Sequence, residues 1–254
     1  AVERAVVWQI VWRLSRERWP MEIVGGIPVV FSDIRTWLTP LWTVGLGAIV
    51  TLAILYGVGF LLQIVAPKIA AIAQATAKEG ISQPLFYVIL AIGIFALVLF
   101  PFVSYNTFGE DVKMLKAEGL TLIKVLAIVL ALWTASVSIA DEIEGRTALT
   151  LLSKPVGRTQ LIVGKFLGIL VPVAIVFIVL GAFFLGSVSY KVVYDARETS
   201  NPDPTSLDCM REMVQVAPGL GLAFMEAVVL AAVSVAISTR LPMLPNLVIS
   251  TVVY

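Results

Sequence analysis

Residues 42 to 66, WTVGLGAIVTLAILYGVGFLLQIVA, run for the thickness of a bilayer without a charge. A helix rises about 1.5 Å per residue and needs about 20 apolar residues to cross about 30 Å of hydrocarbon. Inside hydrocarbon no water satisfies the backbone, so a single uncharged run of this length reads as a transmembrane helix. Trp42 at one end and Pro67-Lys68 at the other fit interface anchors. The pattern recurs. Residues 85 to 103 are uncharged, residues 119 to 140 hold only Lys124, and residues 161 to 186 carry Lys165 within reach of an interface and Pro172 as an expected kink. Residues 216 to 239 carry Glu226 near the middle, and a sixth run starts at Leu241. The expected fold is therefore all-α, a polytopic transmembrane helix bundle with about six spans.

Composition agrees and narrows the chemistry. The 254 residues are 59% hydrophobic and 14% charged, with a mean hydropathy of +0.97, against about 45–50% and 25% in soluble domains. Histidine is absent and Cys209 is the only cysteine. Zinc hydrolase, haem and Ser-His-Asp chemistry lose their usual residues, and neither an internal disulfide nor a CxxC pair can form. A net charge of +1 offers nothing to nucleic acid. No G-x-x-x-x-G-K-[ST] loop is present, so the chain has no phosphate cradle of its own and no cofactor is expected in it. The chain begins at Ala1 without Met and stops at Tyr254 inside an apolar run, which reads as a piece of a longer polypeptide.

The segments between the runs divide the chain into an N-terminal extension (1–41), an extra transmembrane helix (42–66), an interfacial connecting helix (67–84) and a bundle core from 85 to 254. In residues 1–19, Val6, Ile10 and Leu14 recur at four-residue steps near Arg13, Arg16 and Arg18. Either an amphipathic helix in the headgroups or a helix packed on a partner fits. Residues 68–84 read as a short amphipathic helix ended by Gly80 and Pro84. Gly45 and Gly47, Gly57 and Gly59, and Gly164 and Gly168 are small pairs that either let helices approach closely or are simply tolerated in lipid. Lys and Arg in alternate loops divide seven to five, a weak preference for the side holding Arg146 and Arg158 being cytoplasmic. Five N-terminal arginines oppose it if residues 42–66 cross.

The segment from Asp141 to Gln160 carries the densest charge. Asp141, Glu142 and Glu144 come first, then Gly145, Arg146, Thr147 and an apolar turn with Leu151 and Leu152, then Ser-Lys-Pro155-Val-Gly-Arg158. A short helix with acids at its N-terminal side and bases beyond its C-terminus would complement its own macrodipole. It would suit docking to a soluble partner. A solvated loop fits the same charges. Ser187 to Gln215 is read as a long opposite loop, either a disordered connection or an ordered cap. Within the spans, Glu226 near mid-bilayer must face a partner or a wet path. It either lines a substrate path or gate, or makes an interhelical hydrogen bond. Lys124, nearer a span end, can snorkel.

The run from Ser138 to Gly168, SIADEIEGRTALTLLSKPVGRTQLIVGKFLG, resembles the segment E-x-E-x-G-T-x-x-x-L-L-S-x-P-V-x-R-x-x-x-x-x-G-K of membrane subunits of type-2 ABC exporters. Glu142, Glu144, Thr147, Leu151, Leu152, Ser153, Pro155, Val156, Arg158, Gly164 and Lys165 fall on it. Arg146 departs from it, standing where the family often has Gly before the Thr, with Gly145 one position early. The resemblance spans roughly residues 70–254. It implies that 141–160 is a cytoplasmic coupling helix seated in a groove of an ABC ATPase subunit, with Asp141 through Arg158 as its contact. It further implies a second permease, as homodimer or heterodimer, in the plasma (inner) membrane among its lipids. The expected function is the transmembrane subunit of an ATP-driven exporter. An ion-coupled carrier or channel, and a membrane anchor for a larger assembly, are the alternatives. The substrate is not legible.

Overall fold

The computed structural model describes residues 36–103, 110–144, 157–198, 204–238, 241 and 243–253. The N-terminal reading of residues 1–19 falls outside them, as do Gly145, Arg146, Thr147, Leu151, Leu152 and Pro155 of the charged segment. Among the described residues the regular structure is helical, with no strand, as the all-α reading expects. The helices are α1 Leu41–Val65, α2 Pro67–Ser82, α3 Pro84–Leu99, α4 Asp111–Glu144, α5 Arg158–Glu198, α6 Ser206–Ser238 and α7 Met243–Val253. A 3₁₀ turn, Phe100–Phe102, follows α3.

Local chemistry sets the boundaries. Pro67 and Pro84 each stand at the first position of a helix, where a missing N–H is no loss and the fixed φ is already helical. Gln83 before Pro84 is extended, as the proline ring requires. At the start of α5 the Gln160 side chain accepts the Gly157 N–H at 3.3 Å. At the start of α6 the Asp208 carboxylate accepts both the Thr205 N–H (3.0 Å) and the Thr205 hydroxyl (2.7 Å). Both are the reach-back half of a capping box.

Helices α4, α5 and α6 form the centre, with Ile123, Leu130, Val176, Leu180, Phe184 and Ala227 fully enclosed. Phe177 meets Phe224 edge-to-face at 5.4 Å. Contacts advance in step along α4 and α6, from Lys116 with Glu212 to Lys124 with Glu226, so these two run parallel and α5 returns between them. α2 and then α3 follow α5 in the same direction. A Cβ on Gly164 would meet Ile72, on Gly168 Thr76, on Gly80 Pro172, and on Gly93 Leu180. α1 buries no residue. Its Trp42, Ile49, Tyr56 and Val65 are all exposed, the condition of a helix whose solvent is hydrocarbon on nearly every side.

Several local expectations change. The supposed loop from Ser187 to Gln215 is mostly helix, because α5 runs on to Glu198 and α6 already begins at Ser206. At 41 and 34 residues, α5 and α4 are about 60 Å and 50 Å long, well beyond the hydrocarbon. The chain continues through Pro172 and Pro218 without ending a helix. Gly80 does not stop α2. It is buried one turn before the end, where a Cβ would lie 3.0 Å from the Thr134 methyl and 3.1 Å from Pro172.

Candidate functional site

Two features stand out: the roots of the charged segment 145–156, and ion pairs held within the bundle. Asp141, Glu142 and Glu144 form the last turns of α4, and Arg158 opens α5. The acids therefore lie within α4, and residues 145–156, where the rest of the expected short helix falls, lie outside the described residues. Toward the C-terminal side of α4 the helix dipole favours a cation.

One cation comes from α5. Lys165, only 4% exposed, donates to the Ser138 carbonyl oxygen and lies 3.3 Å from the Ser138 hydroxyl. A buried ammonium is tolerated only when hydrogen-bonded, and the Ser138 carbonyl and hydroxyl supply acceptors here. The flanking Gly164 and Gly168 lie one turn apart on the face toward α2. A Cβ on Gly168 would sit 2.6 Å from Thr76 Cβ and 2.7 Å from the Ala73 carbonyl oxygen. This small pair makes a close helix contact. Gly45, Gly47, Gly57 and Gly59 do not, since nothing lies within 4 Å of where their Cβ atoms would be.

Beside this junction α7 is anchored by polar groups. The Asn246 amide donates to the hydroxyls of Ser136 on α4 (2.8 Å) and Ser234 on α6 (3.1 Å), and its oxygen accepts from Ser250 at 3.2 Å. All four are buried. With no hydrophobic force between helices in lipid, such bonds and close packing set which helices associate and in what register.

Halfway along the bundle Lys124 and Glu226 face one another at 3.3 Å, with side chains 27% and 43% exposed. The partner that Glu226 requires is therefore Lys124. At the end away from the charged segment, Lys191 is 1% exposed and pairs with Asp111 at 3.5 Å. Its ammonium also lies 5.0 Å from the Tyr194 ring centre. Tyr190, Tyr194, Phe102 and Trp37 cluster there, and the Ser189 hydroxyl donates to the Trp37 carbonyl at 3.0 Å. The segment just before α1 is thereby tied to α5.

Sequence reasoning placed Lys165 on the motif without its partner and treated Lys124 and Glu226 separately. The available signal was that two opposite charges in different spans must each be compensated. Asp111, Lys191 and Asn246 were not singled out. Among the described residues no cluster of acids and cysteine could hold a metal ion.

Five of the described helices are long and apolar enough to cross a membrane, which defines a multi-pass α-helical membrane protein. Residues 96–253, more than half of the chain, match the family described as ABC-2 family transporter protein, and the chain belongs to that family. It is a membrane transport permease, a class that generally works with an ABC ATPase. The match begins inside α3, later than the resemblance suggested, and leaves α1 and α2 outside it. No curated protein and no solved structure matches the chain.

Proposed function

We propose that this chain is the permease half of an ATP-driven exporter, converting ATP binding by a separate subunit into alternating exposure of a path between its helices. The observation that carries the reading is the exporter-like motif Ser138–Gly168, whose acidic start ends one long core helix and whose Arg158 begins the next. A segment emerging between two 34- and 41-residue rods can pass a push on to both. The acids at the start of the motif suit a cationic groove on the ATPase, with Asp141, Glu142, Glu144 and Arg158 at the edges of the contact and Gly145, Arg146, Thr147, Leu151, Leu152 and Pro155 between them in the sequence. The end bearing this contact is cytoplasmic, the membrane is the plasma (inner) membrane, and a second permease completes the path. Lys68 and Lys78 on α2 fit anionic headgroups at the same face.

Co-purification from the native host tests the reading. An ATPase subunit should stay with the wild-type chain and leave on Glu144→Lys, which reverses charge at the contact. Retention of the ATPase by that variant, or no ATPase with the wild type, rejects the coupling role and returns the anchor reading.

A further inference from the structure

We propose that Lys165 is a positioning residue, a strut that makes the end of α4, the start of α5 and α2 move as one body when the 145–156 segment is displaced. The inference rests on the exporter reading above but adds a mechanical part that the motif alone does not contain.

The argument is geometric. Successive helix residues point about 100° apart, and residues four apart share a face. On α5, Gly164 and Gly168 therefore face α2 together, while Lys165 is turned away from them toward α4. The α2 contact is main chain against main chain. A Cβ on Gly164 would come within 3.2 Å of the Ile69 carbonyl oxygen, and one on Gly168 within 2.7 Å of that of Ala73. One position on, Lys165 reaches Ser138, six residues before the end of α4. A third contact closes the junction a turn or two further along. Gly80 of α2 lies between Thr134 of α4 and Pro172 of α5. Three helices thus meet at two levels, and at the level nearer the charged segment the buried Lys165 joins α5 to α4.

Pro172 makes that level matter. Its missing N–H leaves the Gly168 carbonyl without its helical donor, so α5, though continuous, has one backbone bond fewer between its first turns and the rest. They are held as well by α2 and by α4 through Lys165. A displacement of Arg158 is then shared with α2 and α4 before it reaches the core.

Hydrogen exchange on the permease–ATPase complex, read by mass spectrometry, tests this. In the permease alone, Lys165→Met should speed exchange of residues 139–144 about tenfold while α6 is unchanged, and Lys165→Arg should stay within about twofold of wild type. In the complex, a non-hydrolysable ATP analogue should change exchange of 145–156 and α2 together in the wild type. In Lys165→Met it should change 145–156 alone. Equal responses of α2 in both chains, or unchanged exchange at 139–144, overturn the strut. If Lys165→Met does not fold, Lys165→Gln, whose uncharged amide is too short to reach the carbonyl, is read by the same criteria. An analogue that changes nothing in the wild-type complex counts against the exporter reading instead, and the permease-alone measurement still decides the strut.

Discussion

Gly168→Ala and Gly57→Ala add the same methyl group to membrane helices of one protein, and the structure assigns them opposite signs. At Gly57 nothing lies within 4 Å of the new Cβ, so the change only removes backbone freedom from the unfolded chain, a gain of up to about 1 kcal/mol. At Gly168 the Cβ would sit 2.7 Å from the Ala73 carbonyl oxygen and 2.6 Å from Thr76 Cβ, where ordinary contact begins at 3.4 Å. Neither neighbour is the free end of a side chain. Relief therefore requires α2 and α5 to separate by about 0.7 Å, breaking the close seam. Overpacking of this kind costs about 1–3 kcal/mol. Taking the upper end, because the obstacle is backbone, and subtracting the helix-propensity gain leaves Gly168→Ala about 2 kcal/mol less stable than wild type. The two variants then differ by about 3 kcal/mol. For a chain of this size that is a separation of roughly 6 °C or more in Tm, measured in lipid nanodiscs. Gly164→Ala should fall between them, its nearest obstacle being Ile72 at 2.9 Å. If Gly168→Ala melts with or above Gly57→Ala, the α2–α5 seam is wrong and with it the reason for two glycines four apart.

The Lys124–Glu226 pair should show coupling. Glu226→Gln or Lys124→Met alone leaves one charge near mid-bilayer, and the loss should be about 2.5–3.5 kcal/mol, the cost of a charge at a helix centre. The double variant should recover most of that in Tm, whereas simple addition of the two losses would show that the pair does not form. Glu226→Gln that lowers Tm yet leaves transport intact assigns the pair to helix association rather than to a substrate path. Lys191→Met removes the buried cation that Asp111 faces at 3.5 Å and should destabilise by about 3 kcal/mol, the lower end for breaking a buried pair. Lys191→Arg should restore most of this, and a Lys191→Met protein as stable as wild type would contradict the burial of Lys191.

By itself the sequence determined the solvent, the fold class and the family. Each rests on a local or linear property: run length against bilayer thickness, the absence of His and of a phosphate loop, and the spacing of the Glu142–Lys165 motif. Those signals survive without knowing which helices touch. Only tertiary structure decided which charge answers which, because Lys124 and Glu226, or Asp111 and Lys191, are joined by no periodicity in the chain. The Asn246 cluster draws on three helices for the same reason. It also decided which glycines matter: the four-residue spacing of Gly164 and Gly168 allows a close approach, and only the structure shows α2 backbone against them and open space at the α1 glycines. The helical ends around Ser187–Gln215 were misread as loop because helices that outrun the hydrocarbon become polar while keeping their backbone bonds. Hydropathy reports where lipid stops, and a helix stops where its caps are.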